Sequence, residues 1–199
     1  VGSGLSSSAA LEMSSGLALL STVGAELSGE KLALLGQKAE NQFVGMNCGI
    51  MDQFISMYGE EHHALFLDCR TLDYELVPLK SDDVRFVICN TMVKHELGSS
   101  EYNKRRAECE QGVEIMRENY PDIKALRDVT LEQFGKVEQK LPEIVRKRCR
   151  HVISEDERTQ ASMAALNAND IEKFGQLMNG SHDSLRDDYE VSCKELDLL

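Results

Sequence analysis

The sequence lacks any apolar run long enough to cross a membrane, and it is short of positive charge. No run approaches the roughly 18–20 apolar residues that span a bilayer. Lysine and arginine together number 22, against 34 aspartate and glutamate residues, so the net charge is −12. This balance argues against a nucleic-acid backbone or a membrane as partner and leaves a small-molecule substrate open.

Closely spaced cysteines are also missing, and the given residues show no signal-peptide pattern. The six cysteines are scattered, and no two of them have C-x-x-C spacing. This pattern is typical of reduced thiols in a cytosolic protein and disfavours a disulfide framework or a zinc site. We therefore expect a cytoplasmic location.

Both ends of the chain look cut. The sequence does not begin with Met but inside a Gly/Ser-rich motif, and it ends on Leu198-Leu199 without a helix cap. Its 199 residues suffice for a substantial domain with a core. We interpret the chain as an internal fragment that lacks part of its site.

Hydrophobic periodicity predicts helices, then strands, then helices again, which indicates an α+β protein. In the second helix, the apolar stripe is Leu32, Leu35, Ala39 and Phe43, with Glu40 at its edge. The predicted helices are 7–24, 30–44, a short one after the turn at 47–54, 100–119, 130–140, 143–168, 170–186 and 192–199. The predicted strands are His63–Asp68, Tyr74–Leu79 and a buried one at Arg85–Asn90.

The first residues predict a loop that binds phosphate. Gly2 and Gly4 allow a tight turn, and Ser6, Ser7 and Ser8 place hydroxyls where the first helical N–H groups are unpaired. The Walker pattern is absent because no lysine lies nearby. Taken alone, the string is equally compatible with an ordinary capped helix.

Three separated strings resemble one enzyme family. Residues 2–10, Gly-x-Gly-Leu-Ser-Ser-Ser-Ala-Ala, resemble the second motif of the superfamily of galactokinase, homoserine kinase, mevalonate kinase and phosphomevalonate kinase (GHMP kinases). Cys48–Phe54 and residues 181–197 are similar to galactokinase segments. The resemblance implies a two-layer fold with helices around a mixed sheet. Within it, about 1–98 would end an ATP-binding lobe and start a second, helical lobe, which 99–199 continues incompletely.

Asp52 is the candidate catalytic base. A sugar hydroxyl is a poor nucleophile near neutral pH, and a carboxylate within hydrogen-bond reach accepts its proton as it attacks the γ-phosphate of ATP. A helix cap is the ordinary interpretation of an Asp after a glycine turn. The resemblance instead implies that Asp52 is catalytic and that the segment contacts the sugar, with Gly49 close to it.

The resemblance assigns further roles. It implies that the loop Gly2, Ser3, Gly4, Leu5, Ser6, Ser7 and Ser8 binds ATP, that Glu40 and a serine, Ser8, hold Mg²⁺, and that Tyr102 hydrogen-bonds the sugar. Residue chemistry alone also allows a solvated carboxylate at Glu40 and a half-buried core tyrosine at Tyr102. Lys104, Arg105 and Arg106 are interpreted as a solvated helix face rather than a phosphate clamp.

These observations predict phosphorylation of galactose at its C1 hydroxyl by ATP, by direct in-line transfer. The alternatives are a kinase for N-acetylgalactosamine, arabinose or galacturonate, a non-catalytic galactose sensor, and a scaffold without a ligand. The family's first motif, which supplies an arginine partner for the catalytic Asp and sugar-binding residues, and its third, glycine-rich motif are absent from the sequence. We therefore expect the chain alone to be nearly inactive, and we expect a monomer.

Overall fold

The computed structural model describes residues 4–79, 84–93 and 98–199, without the side chains of residues 98–100. The chain divides into two units, Val1–Tyr102 and Asn103–Leu199. The first contains α1 (Ser7–Thr22), α2 (Gly29–Ala39), a π-helical turn (Glu40–Val44), α3 (Met51–Tyr58), β1 (His63–Leu67) and β2 (Tyr74–Pro78). Helix α4 (Gly98–Met116) crosses the boundary, and α5 (Leu131–Val137), α6 (Glu143–Asn167), α7 (Ile171–Asp187) and α8 (Lys194–Asp197) follow.

Helices α1 and α2 of the first unit approach each other closely because each presents a glycine to the other. A methyl group on Gly16 would lie 2.7 Å from Cδ1 of Leu32. Conversely, a methyl group on Gly36 would lie 2.4 Å from Cε of Met13. Glycine costs a helix roughly 1 kcal/mol relative to alanine. Here that cost is offset by large apolar side chains that occupy the vacated space.

Helix α3 packs on the two-stranded sheet through aromatic rings. The ring centroids of Phe54 and Tyr58 are 4.7 Å apart, and those of Tyr58 and Tyr74 are 4.8 Å apart. Strands β1 and β2 are antiparallel, with Leu65 opposite Leu76. Because Phe54 also joins the core between α1 and α2, the start of α3 is held against both helices and the sheet.

The predicted third strand, Arg85–Asn90, is not formed. Among the described residues, the sheet has only β1 and β2, and no strand pairs with this segment. Phe86, Val87 and Ile88 are 69%, 80% and 70% exposed. A short β-branched run needs neighbouring strands and covering layers to become a buried strand, and the described residues supply neither here.

The apolar stripe predicted for the second helix is also partly wrong. Leu32 is buried as expected, but Leu35 is 53% exposed and Phe43 is 93% exposed. The buried face instead follows Leu32, Gly36 and Glu40. This face turns toward α1 because Gly36 permits the close approach. The buried positions are therefore a glycine and a carboxylate, each one residue after a position of the predicted stripe.

The second unit is built around an apolar core that joins α4, α5 and α6. The core includes Val113, Met116, Phe134, Val145 and Ile153. Helices α4 and α6 are close at Gly112, where an added methyl group would overlap Sγ of Cys149 at 2.1 Å. The predicted helices of this half all exist, with ends shifted by a few residues.

Two arginines anchor the turn after α7. Arg105 donates to the carbonyls of Tyr189 and Glu190, at 2.8 and 3.1 Å. Arg148, only 2% exposed, donates to Oε2 of Glu108 and Oε2 of Glu190, both at 2.7 Å. Glu190 adopts a left-handed backbone with φ of 56°, and the arginines hold it there. The Arg148 contact also holds the pKa of the Glu190 carboxyl down, to about 2.

Arg105 therefore corrects the interpretation of residues 104–106 as a solvated face. Lys104 and Arg106 are exposed, and Arg106 makes a surface ion pair with Glu110 at 3.0 Å. Arg105, between them in sequence, is buried at 9% exposure. The local sequence does not reveal that Arg105 is buried, because the carbonyls that accept its hydrogen bonds lie more than 80 residues away in sequence.

His151 is buried beside the same turn. Its ring stacks on Tyr189, with centroids 4.5 Å apart, and its Nδ1 lies 2.9 Å from Oγ of Ser184. Burial and the positive charge of Arg158 lower the pKa of His151 to about 4. The folded chain therefore holds this imidazole neutral at physiological pH.

No disulfide joins the six cysteines, all of which lie in described parts of the chain. Cys149 is buried, whereas Cys69 and Cys89 are exposed. Within the described ranges, no helix has the length and apolar character needed to cross a bilayer.

We predict that Arg148→Met lowers the free energy of unfolding by about 3 kcal/mol, because it leaves the Glu108 carboxylate and the Asp188 carbonyl without their buried donor. Urea denaturation followed by circular dichroism measures this. The control is Lys136→Met, which removes only an exposed ion pair with Glu132 and costs about 0.5 kcal/mol or less. Equal effects of the two substitutions would contradict the proposed anchoring role.

We also predict that the free energy of unfolding falls as the pH drops from about 6.5 toward 4. The unfolded chain takes up a proton on His151 near its ordinary pKa of about 6.5, whereas the folded chain resists protonation until about pH 4. Thermal denaturation across this range should show a shallower pH dependence for His151→Gln than for the unchanged protein. Parallel curves would rule out a contribution from this histidine.

Candidate active site

The loop before α1 turns sharply through two left-handed residues. Gly4 has φ of 74° and Ser6 has φ of 51°. Ser6 is the N-cap residue, yet its side chain makes no capping hydrogen bond to the helix. The ordinary capped helix is therefore not what the structure has at Ser6. Gly2 and Ser3, which are also predicted to bind ATP, lie outside the described residues.

Ser8 and Glu40 are brought together across 32 positions of sequence. Oγ of Ser8, on the exposed first turn of α1, donates a short hydrogen bond to Oε1 of Glu40. Glu40 is only 7% exposed, so its carboxylate points inward rather than into solvent. The structure thus pairs the two residues predicted to hold Mg²⁺ and excludes the solvated interpretation of Glu40.

The turn after Glu40 ties the next loop to the same place. The Glu40 carbonyl accepts hydrogen bonds from the amides of Gly45 and Met46, at 2.9 and 3.1 Å. Gly45 has φ of 84°, which only glycine adopts readily, and it ends the π-helical turn. Nε2 of Gln37 then donates to the Cys48 carbonyl at 3.3 Å. The segment before α3 is therefore fastened to the end of α2.

Asp52 lies in the first turn of α3 and is exposed. Among the described residues, none donates a hydrogen bond to its carboxylate or forms an ion pair with it. The helix N-terminus favours a negative charge there. Gly49 is exposed too, and a methyl group added to it would meet nothing within 4 Å. Space is therefore open beside the candidate base.

The pKa of the Cys48 thiol reflects the negative charge of this region. Burial raises its pKa, and the carboxylates of Glu40 and Asp52 raise it further. Its Sγ lies 3.6 Å from Oδ1 of Asn41. Because one thiol is affected by both carboxylates, Glu40 and Asp52 border the same region of negative potential, in which a cation or a protonated group is favoured.

Tyr102 is less closely placed. It lies near the start of α4, at the end of the first unit, and is 45% exposed. That exposure disfavours a core role, and its contact with a sugar stays a prediction.

Glu12 and Gln53 belong to the site although sequence reasoning missed them. Nε2 of Gln53 donates to Oε2 of Glu12 at 3.3 Å. Burial raises the pKa of the Glu12 carboxyl, and a hydrogen bond and the charge of Glu40 raise it further, whereas the Gln53 hydrogen bond lowers it. Glu12 could have been found from its spacing, because it follows Ser8 by four positions and therefore lies on the same helix face.

The donor set fits Mg²⁺. That ion is commonly bound by one or two carboxylates together with substrate phosphates and waters, and here a buried carboxylate, Glu40, meets the Ser8 hydroxyl. No group of three His, Cys, Asp or Glu side chains suited to a metal occurs among the described residues. Oε1 of Gln53 is buried without a hydrogen-bond partner, so a further donor is needed there.

Comparisons with known proteins show which proteins the chain resembles. Residues 1–60 match the model of the GHMP kinases N terminal domain. This part of the chain therefore resembles the N-terminal domain of GHMP kinases. Along its whole length the chain is 49% identical to the galactokinase of Roseiflexus sp. (strain RS-1) and 52% identical to that of Chloroflexus aggregans. The resemblance to galactokinases is therefore confirmed.

A solved structure extends the likeness to the fold. The crystal structure of Lactococcus lactis galactokinase complexed with galactose matches all of the chain with a TM-score of 0.94 at 41% identity. This match confirms the α+β, GHMP-kinase-like class. The chain covers 51% of that structure and 50% of each of the two bacterial relatives, so it spans about half their length.

We predict that alkylation of Cys48 by iodoacetamide is slow at pH 7.5 and becomes faster in Glu40→Gln and in Asp52→Asn. Each substitution removes a negative charge that disfavours the thiolate. Peptide mass spectrometry after timed labelling measures the rate, with the exposed Cys69 as an internal reference. An unchanged rate in both variants would show that these carboxylates do not affect the thiol.

Proposed function

We propose that the protein carrying this chain is a galactokinase, which transfers the γ-phosphoryl group of ATP to the C1 hydroxyl of galactose. The observation that carries the proposal is the Ser8–Glu40 hydrogen bond, because it joins the glycine–serine loop to a buried carboxylate in one site. Identity of about 50% to galactokinases over the full chain supports the substrate.

The loop from Gly2 to Ser8 binds the triphosphate in this proposal. Left-handed Gly4 and Ser6 bend the backbone just before the helix, and the N-terminus of α1 favours a negative ligand by its dipole and its amide groups. A non-glycine residue in the left-handed region costs about 1–2 kcal/mol. Such strain is often stored where a loop has to fit a ligand.

Glu40 and Ser8 hold Mg²⁺ in this proposal. When bound, Mg²⁺ neutralises charge on the transferred phosphoryl group. The chain's own contribution is to keep the Glu40 carboxylate buried and directed at Ser8. The hydroxyl and the carboxylate are therefore aligned before any ligand arrives.

Asp52 is the base in this proposal and accepts the proton of the C1 hydroxyl as that oxygen attacks. Its exposed position and the open space at Gly49 admit a sugar. Tyr102 helps to position the sugar, with its phenol available on an exposed side chain. Transfer is direct, because no activated nucleophile accompanies the loop in the described site. We further propose that the protein acts in the cytoplasm, as a monomer.

We expect Asp52→Asn to lower turnover of galactose about 10²–10⁴-fold while leaving ATP binding unchanged, because only proton transfer is lost. The measurement is ADP release by the complete protein. The matched control is Asp73→Asn, an exposed carboxylate that precedes β2, and it should retain full activity. Equal turnover by the Asp52 variant would remove this residue from the mechanism.

The same assay tests the sugar. Galactose should give the highest kcat/KM in a panel that includes N-acetylgalactosamine, arabinose and galacturonate. A higher value for one of those sugars would replace galactose as the substrate and retain the kinase. Absence of turnover with every sugar would overturn the proposed function.

A further inference from the structure

Three helices of the first unit converge on one polar cluster. Ser8 and Glu12 lie one turn apart on α1, Glu40 ends α2, and Gln53 lies in the first turn of α3. Of these four, Ser8 and Glu40 have roles in the proposed function, whereas Glu12 and Gln53 have none.

Glu12 touches both neighbours. Its Oε2 accepts from Nε2 of Gln53 at 3.3 Å. Burial raises the pKa of the Glu12 carboxyl, and the neighbouring Glu40 carboxylate raises it further. Glu40 therefore has the Ser8 hydroxyl as a hydrogen-bond partner and a second carboxyl, that of Glu12, as a neighbour.

The absence of a side chain at Gly36 leaves space for this arrangement. A methyl group there would lie 3.0 Å from Oε2 of Glu12 and 3.1 Å from Cγ of Gln53. Any larger residue would therefore displace the carboxylate or the side chain that holds it. The glycine that lets α1 and α2 approach is thus also the glycine that lets Glu12 lie beside α2.

One hydrogen-bond acceptor of Gln53 is unsatisfied. The side chain is 2% exposed, its Nε2 donates to Glu12, and its Oε1 has no hydrogen-bond partner. Buried polar atoms are almost always paired, so this oxygen needs a donor. Mg²⁺ gives up its waters reluctantly and usually keeps several of them. Such waters are donors that would satisfy Oε1.

We propose that Glu12 and Gln53 support the cation site: Glu12 places a second carboxylate beside Glu40, and Gln53 fixes Glu12 and offers Oε1 to water retained by the cation. This inference rests on the proposed function, in that it takes Glu40 and Ser8 as the cation ligands. The rival interpretation is a purely structural contact between three helices. It predicts a loss of stability with no change in cation affinity.

The test is the affinity of the complete protein for Mn²⁺ alone, measured from the free-ion signal in electron paramagnetic resonance. Glu12→Gln and Gln53→Met keep side-chain volume and should each weaken Mn²⁺ binding about tenfold, as loss of supporting contacts around metal ligands usually does. Glu40→Gln should weaken it at least as much. Glu26→Gln, an exposed carboxylate between α1 and α2, should leave it unchanged.

Gly36→Ala provides a second route, because it crowds Glu12 without removing a polar group. It should also weaken Mn²⁺ binding, and urea denaturation of every variant separates this effect from unfolding. Unchanged affinity in Glu12→Gln and Gln53→Met, with weakened binding in Glu40→Gln, would overturn this inference alone. Unchanged affinity in Glu40→Gln would overturn the cation site of the proposed function and this inference with it.

Discussion

Helices α1 and α2 lie so close that a methyl group on Gly36 would overlap Met13 and crowd the Glu12 carboxylate. That separation determines where the polar residues fall, because Ser8 and Glu12 on one helix then face Glu40 at the end of the other. Such contacts need atoms within hydrogen-bond distance, and a wider gap between the helices would leave a buried carboxylate without partners. The packing of these helices and the placement of their polar residues therefore both depend on the short distance between α1 and α2.

Much of this architecture could be predicted from the sequence, because the hydrophobic pattern within each segment indicates the helices and the first two strands. The Gly/Ser loop and the Cys48–Phe54 string also indicated the resemblance to galactokinases. The errors have a common cause. Leu35 and Phe43 were expected in the core and Arg105 in solvent, and each depends on a partner far away in sequence. Likewise, a β-branched run such as Arg85–Asn90 indicates a strand only if other strands exist beside it.

The second unit shows the same limit for polar residues. Residues 181–197 look like a charged helix and a turn, and nothing local indicates that the turn is anchored. In the structure, Arg105 binds the Tyr189 carbonyl, Arg148 binds the Glu190 carboxylate, and His151 stacks on Tyr189. Buried arginines that bind carbonyls are costly to desolvate, so they are retained where a particular chain path has to be enforced.

The π-helical turn from Glu40 to Val44 makes the spacing of this region sensitive to length. Its wider turn contains one residue more than an α-helix would place between the same points, and the Glu40 carbonyl binds the amides of Gly45 and Met46 across it. A one-residue deletion here would restore an α-helix between these points and remove the wide turn across which the Glu40 carbonyl binds the two amides. In related chains this segment should therefore accept changes of residue type more readily than insertions or deletions.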